Sequence, residues 1–139
     1  MKSFADGTEY PSISVERRFR ARHAVTINGE EELLHEHDWH VRVEVAGRLD
    51  DEGLLIDFHL LESALDEVLL PFKDNTFNGT PPFDDQNPSA ENIARHIVWS
   101  VVEEALPKQA RKRIESARAI VEEAPGCHAT VYFRYEGHI

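Results

Sequence analysis

The sequence is poor in the features that mark secreted, membrane-spanning and nucleic-acid-binding proteins. Its single cysteine, Cys127, excludes an intrachain disulfide framework and is typical of a reducing cytoplasm. No stretch approaches the length of an apolar membrane span, and the N-terminal segment lacks the apolar core of a signal peptide. The chain has 15 basic and 26 acidic residues, and its formal net charge of −11 argues against nucleic acid or an anionic membrane as a partner. We therefore expect a soluble, cytoplasmic protein.

The composition is that of an ordinary globular domain. Hydrophobic residues make up 41% and charged residues 29% of the 139 positions, which is enough to bury a core. Neither internal repeats nor low-complexity tracts divide the chain. The sequence predicts one domain over residues 1–139, in which residues 1–11 form a loose lead-in.

Two long segments alternate between apolar and polar residues, which predicts two half-buried β-strands. In the first strand, residues 12–27, the odd-numbered positions are mostly apolar and include His23. In the second strand, which continues to about Ala46, His35 and His37 occupy the apolar face. Because successive side chains of a strand point to opposite faces, all three histidines are expected to point inward.

Three inward imidazoles on neighbouring strands predict a metal site. A single inward histidine is usually a hydrogen-bonded core residue, but three together need a partner for their buried nitrogens. Neutral imidazole is a common ligand of zinc and other transition metals. We therefore assign His23, His35 and His37 as candidate metal ligands.

The middle of the chain predicts two amphipathic helices. One follows Asp57 with an apolar stripe of helical period and stops at Pro71. Residues 72–88 are rich in Asn, Asp, Gly and Pro and predict a loop. Ser89 is a good N-cap for the second helix, which runs to Pro107.

The C-terminal part predicts two more strands, at about residues 118–123 and 128–135, after a solvated basic helix or turn at 108–113. An Asn28-Gly29 turn and an acidic loop over residues 30–32 separate the first two strands. The element order is then β-β-α-α-β-β. This order predicts an α+β fold, a four-stranded antiparallel sheet with two helices on one face.

Several short segments together resemble the 6-pyruvoyltetrahydropterin synthase and 6-carboxytetrahydropterin synthase family, in order and in spacing. The segments are FRARH at 19–23, LHEHDW at 34–39 with VRVEV at 41–45, GLLIDF at 53–58, residues 74–78, NPSAEN at 87–92 and VEE at 121–123. The resemblance implies the tunnelling fold (T-fold), in which protomers join their sheets into a barrel and trimers stack into a homohexamer, with the pocket between protomers. It also implies Zn²⁺ on the three histidines that strand parity selects.

The resemblance further implies a lyase that acts on dihydroneopterin triphosphate, whose side-chain hydroxyls approach the zinc. Within the family, a buried glutamate anchors the pterin by accepting hydrogen bonds from its 2-amino group and ring N–H. That glutamate aligns with Glu123, and Ser89 falls where a threonine commonly lines the pterin pocket. The pterin is thus the expected small-molecule partner.

The sequence departs from the family pattern at its catalytic positions. The base is often a cysteine four residues before the first ligand of the His-x-His pair, and Glu31 stands there. Relatives with a glutamate at that position are associated with side-chain cleavage to 6-hydroxymethyl-dihydropterin. The Asp-His proton relay reads Asp74-Asn75, and an asparagine cannot act as a general acid or base. Glu36 replaces a glycine between two ligands, and Ala124 replaces a threonine.

The altered relay leaves two classes of function open. In the first, the protein is a zinc-dependent pterin lyase with Glu31 and Asp74 as catalytic residues, either a synthase or a side-chain-cleaving variant. In the second, it is a pterin- or purine-binding paralogue with altered or lost catalysis, and residues 30–32 are a solvated acidic loop. A cupin metal site fits less well, because the second histidine motif is missing and two helical stripes do not suit a jelly roll.

Overall fold

The computed structural model of the protein describes residues 7–136. The elements in chain order are β1 Ser12–His23, β2 Thr26–Ile27, β3 Glu30–Glu31, β4 His35–Gly47, α1 Phe58–Leu69, β5 Asn75–Thr76, α2 Ala90–Ser100 with a wider helical turn at Val101–Ala105, α3 Lys108–Arg111, β6 Ile114–Ala124 and β7 Cys127–Arg134. The fold is therefore α+β, as the sequence predicts. Of the predicted lead-in, residues 7–11 have no regular structure, and residues 1–6 lie outside the described part of the chain.

The main sheet has the strand order β5-β1-β4-β6-β7. Its four long strands are antiparallel neighbours, in agreement with the predicted sheet. The prediction missed β5, a two-residue strand that pairs parallel to the end of β1 through Asn75 and Thr76. This strand lies in the predicted loop 72–88 and makes the sheet mixed, with five strands. Two residues of strand are too short to leave a period-2 signal in the sequence.

The helices cover one face of the sheet and enclose the core. Trp39 of β4 is fully buried, and its indole Nε1–H donates to the carbonyl of Ala21 at 3.1 Å. The predicted loop 72–88 contributes Phe72, Phe77 and Phe83, which are all buried against one another. Each large buried side chain is worth about 1.5–3 kcal/mol of transfer free energy. The segment is therefore part of the core, although its composition is typical of a solvated loop.

The first strand is shorter than predicted. It ends at His23 and not at residue 27, because the chain turns out of the main sheet and forms a separate hairpin of β2 and β3. Asn28 and Gly29 make the predicted turn with φ of 54° and 81°, the left-handed values that a tight hairpin turn needs. Glu30 and Glu31 were predicted as loop but pair with Ile27 and Thr26.

The closing strands bury the face that the alternation predicts. β6 begins at Ile114, four residues before the predicted start at Arg118, and β7 spans Cys127–Arg134. Ala129, Val131, Phe133 and Tyr135 are half-buried, and the last three pack against the core. The basic segment after Pro107 forms the short helix α3 and a turn, as expected for a solvated patch.

The opposite face of the sheet is charged. Its pairs include Glu16 with His40 at 3.0 Å and Glu44 with Arg118 at 3.1 Å. In each pair one partner is exposed and the other is half-buried, and ion pairs so open to water add little to stability. No helix among the described residues is long and apolar enough to cross a membrane.

Candidate metal centre

The pairing of β1 with β4 brings the three predicted ligands together. His23 is the last residue of β1 and lies opposite His35, the first residue of β4, while Ala21 lies opposite His37. One ring nitrogen from each of the three histidines lies within 4.8 Å of the others. The alternation of side chains along two paired strands thus creates a three-imidazole cluster.

Backbone carbonyls fix the tautomers of two of these rings. Nδ1 of His23 lies 2.8 Å from the carbonyl oxygen of Pro88, and Nδ1 of His35 lies 2.8 Å from that of Leu33. A carbonyl can only accept, so each Nδ1 carries the hydrogen and each Nε2 keeps its lone pair. Such an outer hydrogen bond is how a metal-binding histidine is usually oriented.

Two of the three donor atoms of the cluster are buried without hydrogen-bond partners. His23 is fully buried, and the Nε2 atoms of His23 and His37 make no hydrogen bond within the described part of the chain. A Glu123 carboxylate oxygen lies 3.1 Å from Nε2 of His23, in a geometry that is not a hydrogen bond, and the other oxygen lies 3.9 Å from Nε2 of His37. A lone pair facing a carboxylate is unfavourable unless a positive charge lies between them. The donor set therefore fits a divalent cation, and three imidazoles suit zinc.

Burial keeps His37 in its metal-binding form. Loss of hydration lowers the pKa of its imidazole below the usual 6.5, and the charge of Glu123 opposes this shift only in part. The ring is therefore neutral at pH 7. The rings of His37 and Trp39 make a T-shaped contact, with centroids 5.5 Å apart. His23 makes a T-shaped contact with the same indole, with centroids 4.9 Å apart. The buried indole of Trp39 thus packs against two of the three imidazole rings and restricts their orientation.

His35 and His37 of the cluster line a cleft of about 550 Å³, whereas the fully buried His23 is not part of its lining. The cleft is lined by Val25, Thr26, Ile27, Glu32, His35, His37, Asn87, Ser89, Ala90, Glu91 and Glu123. The hairpin of β2 and β3 contributes to one wall of the cleft, and the start of α2 forms another wall. The predicted anchor Glu123 and pocket residue Ser89 are therefore in the same cleft as His35 and His37. Ser89 also caps α2, since its Oγ accepts from the N–H of Asn92 at 3.1 Å.

The cleft contains Glu32, and its lining does not include the predicted base Glu31. Glu31 is exposed on β3, opposite Thr26. Oε1 of Glu32 lies 3.6 Å from Nε2 of His35 and accepts a hydrogen bond from the N–H of Val25 at 3.1 Å. Sequence reasoning missed Glu32 because it took residues 30–32 as loop. The local sequence holds no signal that separates Glu32 from Glu31, because β3 has only two residues and Glu32 follows it.

The predicted relay pair lies apart from the cleft lining, at the β1 edge of the sheet. The N–H of Asp74 donates to the carbonyl of Arg20 at 2.7 Å, and the φ of Asp74 is 55°. Asn75 is on β5, and its side-chain amide donates to the carbonyl of Pro71 at 3.0 Å. The single chain does not bring Asp74 to the histidines.

The unusual Glu36 between two ligands is accommodated on the open face of the sheet. Its carboxylate oxygens lie 3.9 Å from a guanidinium nitrogen of Arg20 and 3.6 Å from one of Arg22. The side chain therefore points away from the histidine cluster.

Comparison with known proteins places this site in a family. The profile of the family 6-pyruvoyl tetrahydropterin synthase matches residues 12–133. The chain belongs to this family. A provisionally named 6-carboxy-5,6,7,8-tetrahydropterin synthase of Archaeoglobus fulgidus is 27% identical over 94 residues, which cover 68% of this chain and 78% of that protein.

Solved structures of 6-pyruvoyl tetrahydropterin synthases show the same fold, the T-fold expected from the sequence. The Plasmodium falciparum protein superposes with a TM-score of 0.77 at 21% identity, over 92% of this chain and 100% of that one. The Caenorhabditis elegans protein gives 0.74 at 15% identity, over 92% and 97%. Two structures of the Plasmodium vivax enzyme carry alanine or cysteine in place of a glutamate described as a catalytic residue. They give a TM-score of 0.76 at 19% identity, over 92% and 100%.

If the three histidines form the metal site, then His35→Ala will weaken zinc binding by more than the roughly 10- to 100-fold typical for loss of an outer partner of a ligand. Titration against a chelator of known affinity measures the change. His59→Ala is the matched control, because His59 is exposed on α1 and pairs only with Glu62 in the described structure. Equal zinc affinities of the two variants would rule out His35 as a ligand.

Proposed function

We propose that this chain is a zinc-dependent lyase that acts on dihydroneopterin triphosphate or a closely related pterin, in the cytoplasm. The observation that carries this proposal is that a three-imidazole cluster, of which His35 and His37 line the cleft, lies beside the carboxylate of Glu123 in the same cleft. Both a metal and a pterin with several N–H donors could be held there. When bound, zinc would polarise a side-chain hydroxyl of the pterin and lower its pKa.

Glu123 is the proposed pterin anchor. A carboxylate has two acceptor oxygens, which match the neighbouring 2-amino and ring N–H donors of a pterin. The carboxylate is half-buried at the wall of the cleft, where such hydrogen bonds are stronger than in bulk water. Ser89 lies in the same wall and contributes its hydroxyl beside the α2 N-terminus.

A glutamate of the β2–β3 hairpin is the proposed general base. The sequence pattern selects Glu31, whereas the contacts favour Glu32, whose carboxylate lies in the cleft and is oriented by the N–H of Val25. Such an oriented acceptor can take a proton from a pterin side-chain carbon or hydroxyl. The catalytic glutamate named for the P. vivax enzyme supports a carboxylate in this role.

The use of glutamate, together with Asn75 in place of a relay histidine, favours a second product. Side-chain cleavage would give 6-hydroxymethyl-dihydropterin, whereas the synthase reaction would give a 6-pyruvoyl or 6-carboxy product.

We propose that Asp74 reaches a cleft only in the assembled homohexamer. Asp74 lies at the β1 edge of the sheet. At the opposite edge, β7 pairs only with β6 among the described strands. Both edges are therefore available for joining the sheets of neighbouring protomers, which supports this proposal.

Incubation of the zinc-loaded protein with dihydroneopterin triphosphate, followed by mass spectrometry, tests this function. We expect release of triphosphate or of a side-chain fragment, with a turnover that Glu32→Gln lowers about 100-fold or more, because the neutral amide cannot accept the proton. Glu31→Gln, on the neighbouring position, is the matched variant and is expected to keep most activity. The reverse order of the two variants would restore Glu31 as the base. Unchanged substrate that stays bound to the protein would instead indicate a binding role.

Glu123→Gln separates two roles for this carboxylate. As a pterin anchor, the variant should bind neopterin about 10-fold or more weakly, because the amide offers one acceptor where the pterin needs two. Zinc content should remain that of the wild type. Fluorescence titration with neopterin and metal analysis of the same sample measure both effects. Loss of zinc with unchanged neopterin binding would make Glu123 a metal ligand and remove the anchor.

A further inference from the structure

The segment Ala24–Thr26, which links the end of β1 to β2, lies outside the main sheet, yet all of its backbone polar groups are paired. The N–H of Ala24 donates to Oδ1 of Asn78 at 2.8 Å, and Nδ2 of Asn78 donates to the carbonyl of Ala24 at 2.9 Å. The N–H of Thr26 donates to Oδ1 of Asn87 at 2.8 Å, and Nδ2 of Asn87 donates to the carbonyl of Thr26 at 3.0 Å.

Between the two asparagine pairs, Glu32 completes the pattern. Its carboxylate accepts from the N–H of Val25 at 3.1 Å, and its own N–H donates to the carbonyl of Val25 at 3.0 Å. Three consecutive residues are thus held by partners from three separate parts of the chain. Each carboxamide offers one donor and one acceptor, as a peptide unit of a neighbouring strand would. The two asparagines therefore replace strand pairing where the sheet ends.

This segment connects the metal cluster to the cleft wall. His23 directly precedes Ala24, and its Nδ1 donates to the carbonyl of Pro88, which directly follows Asn87. Residues 87–88 therefore hold both ends of the stretch from His23 to Thr26. The asparagines are the hydrogen-bond partners of the N–H and carbonyl groups of Ala24 and Thr26, so losing either pair would loosen the segment that joins His23 to the cleft wall.

We propose that Asn78 and Asn87 are positioning residues that set the place of His23 in the metal centre and of the wall formed by Val25 and Thr26. Asn78 pairs with Ala24, the residue directly after His23, and acts mainly on metal binding. Asn87 lies at the cleft and acts on pterin binding as well. This inference rests on the proposed metal and pterin site.

Substitution by leucine tests the proposal, because leucine is similar in shape to asparagine but has neither donor nor acceptor. Asn78→Leu leaves the N–H and carbonyl of Ala24 without partners, and Asn87→Leu does the same to Thr26. The matched control is Gln86→Leu, since Gln86 is an exposed neighbour outside the cleft lining. Each protein is loaded with Co²⁺ for visible spectroscopy and titrated with Zn²⁺ against a chelator.

We expect Asn78→Leu to bind Zn²⁺ about 10-fold more weakly and to shift the Co²⁺ ligand-field bands, as loss of support for a ligand does. Gln86→Leu should keep the wild-type affinity and spectrum. If Asn78→Leu does not fold by circular dichroism, Asn87→Leu is read in its place, with weaker neopterin binding than that of Gln86→Leu as the expected result. A folded Asn78→Leu with wild-type Zn²⁺ affinity and Co²⁺ spectrum would overturn the proposal, and so would unchanged neopterin binding by Asn87→Leu.

The metal readout separates this inference from the proposed function. A wild-type protein that binds Zn²⁺ at the histidines but no neopterin would contradict the pterin function, while the Co²⁺ spectrum of Asn78→Leu would still decide the positioning role. A wild-type protein that binds neopterin and converts dihydroneopterin triphosphate, with all asparagine variants unchanged in metal and neopterin binding, would keep the function and discard the positioning role of Asn78 and Asn87.

Discussion

The candidate site depends on two buried imidazole nitrogens that have no hydrogen-bond partner among residues 7–136. Nε2 of His23 and of His37 are removed from water and make no hydrogen bond within the described part of the chain, while the Glu123 carboxylate faces them. Burying a polar atom unpaired costs on the order of 1–3 kcal/mol, so two such atoms beside a carboxylate are an expensive arrangement. A bound cation removes this cost, since it satisfies the lone pairs and the carboxylate together.

The rest of the fold supports this cluster. The register of β1 against β4 places the histidines opposite each other, and Trp39 fills the space beneath their rings. The carbonyl of Pro88 selects the tautomer of His23, and the chain around Pro88 also holds the cleft wall through Asn87. The loop between the helices is thus a structural support for the site, and its buried phenylalanines anchor it in the core.

The sequence was sufficient to predict the long strands, both main helices and the three histidines, because each of these follows a simple period or a cap. Alternation along β1 and β4 placed the histidines on one face, and the signal continued over a dozen residues. Short elements were missed for the same reason. The strands β2, β3 and β5 have two residues each, so no period can be read from them.

The shortness of β2 and β3 also explains why the sequence pattern selects Glu31 as the base, whereas the contacts favour Glu32. Glu30, Glu31 and Glu32 are chemically identical, and only the hairpin geometry distinguishes which carboxylate reaches His35. Likewise, nothing in the local sequence shows that Asn78 and Asn87, more than 50 residues further along the chain, pair with the backbone after His23. Such contacts arise from tertiary packing, and no local propensity encodes them.

Zinc K-edge X-ray absorption on the zinc-loaded protein tests the central claim most directly, because it reports the ligands of the metal itself. We predict a four-coordinate zinc with three imidazole nitrogens at about 2.0–2.1 Å and one oxygen from water. The His35→Ala variant should lose one imidazole from the spectrum. A zinc shell of oxygen atoms alone, or a spectrum that His35→Ala leaves unchanged, would contradict the assignment of the histidine cluster as the metal centre.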